Sequence, residues 1–154
     1  MACEFVANAV QEVALNAPIV FNTSIPCRKG YVYHENETGI VILRGITNGQ
    51  CFATYRVTYN GNIGLPEGAD LTPIAVSLVV GGESRPTSRA IYVPAATTET
   101  GDYGNVTSTA IIKVPRGCCF SLAVESVPAS SDPTITAAPI IEVQNSNLVV
   151  DRIA

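Results

Sequence analysis

Cys51-Phe52-Ala53-Thr54-Tyr55-Arg56-Val57-Thr58-Tyr59 is the stretch that decides the fold. Cys51, Ala53, Tyr55, Val57 and Tyr59 fall on one side of an extended chain, and Phe52, Thr54, Arg56 and Thr58 on the other. Successive side chains of a strand point to opposite faces, so this alternation belongs to a half-buried β-strand. Asn60-Gly61-Asn62 follows and is expected to close the strand, because Asn and Gly tolerate positive φ.

The pattern recurs along the chain. Asn105 to Val114 alternates again, with Val106, Ser108, Ala110, Ile112 and Val114 facing one way, and Pro115-Arg116-Gly117 turns it into a strand from Cys118 to Glu125. Further strands are expected at Ala14 to Phe21, Tyr31 to His34, Ile40 to Arg44, Pro73 to Val80, Ser88 to Val93, Pro139 to Val143 and Asn147 to Ile153. Glu35 to Gly39, Asn48-Gly49 and Gly81-Gly82 are the turns among them, and Pro94 to Gly104 and Pro128 to Pro133 the loops. A helical period appears only as a hint in Val6 to Leu15. About eight to ten short strands separated by turns predict an all-β, antiparallel sandwich or jelly roll. Residues 1–154 are expected to form one such domain, since this length buries an ordinary core without staples.

Composition restricts the function. The chain is 47% hydrophobic but only 14% charged, whereas about a quarter is usual, so part of its surface is expected to meet protein rather than water. Net charge is −4, from 9 basic and 13 acidic residues, with no basic stripe to displace counterions from phosphates; nucleic acid is not an expected partner. Apolar runs such as Ile74 to Val80 fall far short of the ~20 residues that span a bilayer, so no membrane is expected. Met1-Ala2-Cys3-Glu4-Phe5 lacks the basic and apolar segments of a signal peptide, which predicts synthesis and assembly in a cytoplasm.

Catalysis finds little to work with. A nucleophilic triad needs a base beside its Ser or Cys, and the sole histidine is His34. His34, Glu35 and Glu37 are ligand types for a divalent cation, but a solvated hairpin tip is the expected reading; Asp70 and Asp102 are single carboxylates in turns. No cofactor or metal is therefore assigned. Asn22, Asn36 and Asn105 open Asn-x-Ser/Thr triplets that are expected to stay unmodified. Cys3, Cys27, Cys51, Cys118 and Cys119 show no zinc-like or Cys-x-x-Cys spacing, and small apolar packing is expected of them rather than redox work or a disulfide framework. Cys118 and Cys119 should face opposite ways on a strand, one inward and one outward.

The two ends of the chain carry a resemblance. Ala14 to Asn22-Thr23, an apolar strand ending in a Phe-Asn-Thr step, and Asn145-Ser146-Asn147-Leu148-Val149-Val150-Asp151-Arg152-Ile153 resemble the tumour necrosis factor and complement globular-head superfamily in its bacterial form. That form caps collagen-like surface proteins of spore-forming bacteria and recurs in their phages. The resemblance implies a ten-stranded jelly roll that trimerises about a threefold axis with aromatic side chains between protomers. Carried over, Tyr31, Tyr33, Phe52, Tyr55 and Tyr59 are the candidate interface residues; for each, the alternative is a tyrosine or phenylalanine belonging to a single protomer. The sequence departs from the family in having no Gly-X-Y repeats and no stalk. The expected function is thus a non-enzymatic, homotrimeric decoration protein on a bacteriophage head, gripping the major capsid protein lattice at the virion surface. The alternative is a trimeric receptor- or carbohydrate-binding head, for which Tyr103 and Tyr31 to Glu37 are the candidate contacts.

Overall fold

The computed structural model describes residues 2–25, 30–97 and 102–154. Their strands are β1 (Ala2–Ala7), β2 (Gln11–Ala14), β3 (Thr23–Ile25), β4 (Val32–His34), β5 (Val41–Arg44), β6 (Phe52–Gly64), β7 (Ile74–Val80), β8 (Glu83–Ser84), β9 (Ala90–Tyr92), β10 (Gly104–Pro115), β11 (Cys119–Val127) and β12 (Ile140–Arg152). A 3-10 turn at Pro86–Ser88 joins β8 to β9, and among the described residues no helix is long and apolar enough to cross a membrane.

All pairings are antiparallel, and the strands form two six-stranded sheets. One runs β10-β6-β12-β1-β3, with β2 also on β12; the other runs β4-β5-β11-β7-β8, with β9 also on β7. The inner faces of the two sheets meet in one core cluster that includes Tyr55, Tyr59, Phe5, Phe21, Leu43, Leu78, Leu122 and Leu148. This is the all-β jelly-roll sandwich that the alternation predicts. Within the strands both long alternating segments keep their expected sides: Ala53, Tyr55, Val57 and Tyr59 are buried on β6, as are Val106, Ser108, Ile112 and Val114 on β10, with Ala110 half-buried. Cys51, expected inward, precedes β6 and is exposed.

Several boundaries differ, each for a local reason. β6 does not stop at Tyr59 but runs through Asn60-Gly61-Asn62 to Gly64. Gly61 faces the core, where a Cβ would collide with the Tyr59 hydroxyl and Ser146 Oγ, so the glycine makes room for a side chain instead of bending the chain. Asn60 and Asn62 hydrogen-bond across to β10. The last two expected strands are one strand, β12, interrupted by a bulge between Gln144 and Asn147. Asn145 adopts φ +53 there, which reads locally as a turn. Before the bulge Ile141 and Val143 point inward; after it Ser146, Leu148 and Val150 do.

The N-terminal reading is corrected more heavily. Val6 to Leu15 is not helical, because β1 and β2 occupy this region and both pair with β12. Within Ala14 to Phe21, Ala14 ends β2 and beyond it only isolated bridges form, Pro18 to Glu125 and Phe21 to Thr38, since Pro18 lacks the N–H a continuous ladder needs. Ser88 to Val93 is likewise split. Gly81 and Gly82, at φ +62 and +83, make the expected hairpin turn, but it leads into the two-residue β8 before the 3-10 turn.

The strand directions give the sandwich two ends. Residues 45–51, 81–82 and 116–118 connect strands at one end, and residues 65–73 and 128–139 connect them at the other.

Candidate functional site

The feature with most potential for function is the outward face of the sheet β10-β6-β12-β1-β3. It follows directly from the alternation: what is not in the core of β6 and β10 is here. Register places Thr109, Thr58, Val149 and Glu4 in one row across four strands, and Thr107, Asn60, Asn147 and Val6 in the next. The side chains are joined into a ladder. Asn105 Nδ2 donates to Asn62 Oδ1 at 3.1 Å, Thr107 Oγ1 donates to Asn60 Oδ1 at 3.1 Å, and the Thr58 and Thr109 hydroxyls lie 3.2 Å apart. Asn147 Nδ2 donates to Glu4 Oε1 at 3.4 Å. At one end of this face Arg56 Nη2 donates to Asp151 Oδ2 at 2.8 Å, an ion pair exposed on the arginine side.

Amides and hydroxyls each donate and accept hydrogen bonds. A face made chiefly of them suits a second copy of itself, because hydroxyls and amides can pair in either sense. Charge enters this surface at Glu4, held by Asn147, and otherwise with Lys113, Arg56 and Asp151 towards one end and Glu142 towards the other.

The five candidate aromatic residues are not brought together. Tyr55 and Tyr59 point into the core and have no exposed surface, so they fall to the single-protomer alternative and present nothing to a neighbour. The Tyr55 hydroxyl reaches the carbonyls of Arg44 at 2.6 Å and Tyr31 at 3.1 Å. Burial raises its pKa. The Tyr59 hydroxyl pairs with Ser146 Oγ at 3.0 Å, and burial pushes its pKa up to about 12. Tyr31 is half-buried, with the Arg152 guanidinium 4.6 Å from its ring centroid. Tyr33 is 52% exposed on the other sheet, remote from the ladder. Only Phe52, 46% exposed with Lys113 Nζ 6.0 Å from its ring, shares the outward face. The ladder is visible in the sequence as the polar half of two alternating strands.

The sequence's chemical candidates are engaged in structure. His34 Nδ1 lies 2.6 Å from Ser24 Oγ and Nε2 lies 2.9 Å from the Thr38 carbonyl, so both ring nitrogens are taken. The ring sits 4.8 Å from Phe5 and 6.4 Å from Phe21. Among the described residues no three His, Cys, Asp or Glu side chains gather as a metal site. Asp102 accepts hydrogen bonds from the Tyr92 hydroxyl and the backbone N–H of Ala95 and Ala96, and these hold its carboxyl below the usual range. Tyr103 donates to Glu142 Oε2 at 2.7 Å. A cleft of about 520 Å³ opens between residues 68–72 and 136–139, with Asp70 on its wall.

The cysteines depart from the packing expectation. Cys3, inward on β1, is disulfide-bonded; Cys51 and Cys119 are exposed free thiols, and Cys118 is half-buried against the core. Cys27 lies outside the described residues. The outward member of the adjacent pair is Cys119, opposite Arg44 on β5. Cys3 is packed in the core as expected of it; its disulfide is the departure.

No family model and no curated protein matches this sequence. Solved structures do match it across nearly all of its length. The structure of Eiger TNF from S. frugiperda aligns at TM-score 0.63 and 17% identity, over 100% of this chain and 92% of that one. The globular domain of zebrafish complement 1qA protein aligns at 0.61 and 10%, over 99% and 97%. Murine APRIL at pH 5.0 gives 0.60 and 10%, over 99% and 98%. At such identities the likeness is one of fold: the chain has the jelly roll of tumour necrosis factor-like and complement globular-head domains.

Proposed function

We propose that this chain is a non-catalytic structural protein that works as a homotrimer. Three copies meet through the outward face of β10-β6-β12-β1-β3. The trimer decorates the surface of a particle, a bacteriophage head whose major capsid protein lattice it grips. The observation that carries the reading is the uncharged, self-complementary ladder of Thr58, Thr109, Asn60, Thr107, Asn62 and Asn105 on that face. A chain with 14% charged residues that also lines the middle of this broad face mainly with threonine and asparagine is suited to covering it with protein.

Thr58→Glu tests the trimer. Three carboxylates brought together in a water-poor interface repel one another at a cost of several kcal/mol. Native mass by light scattering should read three chains for the unaltered protein and one for the variant, whose far-UV circular dichroism stays that of a β-sandwich. A wild-type protein that is monomeric at micromolar concentration overturns the proposal. The decoration role is tested separately, by looking for the chain in purified particles and asking whether trimers rebind particles stripped of it.

The cleft of about 520 Å³ favours the second reading, a receptor- or carbohydrate-binding head, to the extent that it offers a small ligand a concave site. Binding of the free trimer to a glycan array, without any association with particles, would select it.

A further inference from the structure

Charge is sorted along the long axis of the sandwich. The strand register puts Arg44, Lys113 and Arg116 at the end built from residues 45–51, 81–82 and 116–118, all three exposed and in no ion pair among the described residues. Glu83 is the exposed acid there, and Asp151 is taken up by Arg56. The opposite end holds Glu67 and Asp70 in the β6–β7 connection and Asp132 in the β11–β12 connection, again exposed. Glu12 and Glu142 sit directly across from each other on β2 and β12 near that end. Its one described cation is Arg89, half-buried and donating to the Ala129 carbonyl at 3.3 Å. The net charge of −4 conceals this separation.

Each end also combines its charge with exposed apolar side chains. Ile46 and Phe52 stand at the cationic end, 44% and 46% exposed, and Leu71 and Ile135 at the anionic end, 56% and 44% exposed. Charge at the rim steers an approaching surface, while apolar area supplies attraction once water is expelled.

We infer that the protein stacks head to tail, the cationic end of one assembly seating on the anionic end of the next, so that the occupant of each end is a second copy of this chain. The argument is charge complementarity, with both partners present on one molecule. An end-to-end contact of two different surfaces is heterologous and propagates along the axis instead of closing on itself. Stacked on the trimer axis of the function proposed above, every contact is repeated three times. The inference rests on that trimer for its multiplicity, but not for its polarity.

Sedimentation velocity across ionic strength tests it. At about 0.01 M salt the Debye length is ~30 Å and the ends attract; at about 1 M it is ~3 Å and they do not. The expected result is a weight-average mass at least about twofold higher at low salt, returning at high salt to a single assembly. Arg44→Glu with Arg116→Glu, both off the trimer face, should abolish the rise, and adding Glu67→Lys with Asp70→Lys should restore it. A mass that ignores salt, or a rise that survives the first pair of substitutions, overturns stacking. So does salt-sensitive retention on immobilised poly-L-glutamate with no rise in the protein's own mass, which would assign the cationic end to a different acidic protein. Failure of the trimer reads out elsewhere, as a one-chain mass at high salt.

Discussion

Tyr59 and Ser146 offer the sharpest test of how this core is specified. The Tyr59 hydroxyl and Ser146 Oγ are 3.0 Å apart, and the residues are 0% and 3% exposed. Neither hydroxyl has water to fall back on. Tyr59→Phe leaves Ser146 without its partner, and Ser146→Ala does the same to Tyr59; a buried polar group so abandoned costs about 1–3 kcal/mol. Removing both hydroxyls strands nothing, so the double variant should lie within about 1 kcal/mol of wild type. The singles should therefore be destabilised by more than their combination. Urea unfolding followed by circular dichroism measures this, at one fixed protein concentration because subunit association adds to apparent stability. Losses that simply add in the double variant, or a neutral Tyr59→Phe, would refute the claim that the two hydroxyls depend on each other.

Two further outcomes follow from the same coordinates. Tyr59 is raised to about 12 in the folded protein, so its contribution is intact below the free phenol value of about 10 and is lost as the pH climbs from there towards 12. That loss amounts to about 3 kcal/mol, and the alkaline fall in unfolding free energy should be shallower in Tyr59→Phe; equal slopes would argue against burial as the cause. Native protein should react with a maleimide quickly at Cys51 and Cys119, more slowly at Cys118 and not at Cys3. Peptide mapping checks the order, and rapid labelling of Cys3 would contradict its disulfide.

Strands with strict alternation were legible from sequence, because period two has one structural meaning when it lasts nine residues. Hence β6 and β10 were placed with the right faces, and so was the sandwich they imply. What was illegible depended on partners distant in sequence. Gly61 looks like a turn until Tyr59 and Ser146 are seen to need the space. Asn145 looks like a break until β6 is seen to pair on both sides of it, with β2 alongside before the bulge and β1 after it. β1 and β2 are short strands whose patterns are decided by pairing with β12, and for β1 also with β3. The candidate aromatics are dispersed for a related reason: the phase of the alternation sends Tyr55 and Tyr59 inward and leaves threonine and asparagine outside.

The bulge in β12 carries a consequence for how this chain can change its length. Upstream of Asn145 the odd-numbered residues Ile141 and Val143 are inside, and downstream the even-numbered Leu148 and Val150 are. That parity switch is the extra residue itself. Deleting it would send Leu148 and Val150 to the solvent side or drag the opening of the strand out of step with β2. An insertion or deletion that a surface loop would absorb is therefore barred from these few positions, although locally they look like a turn where such changes are harmless.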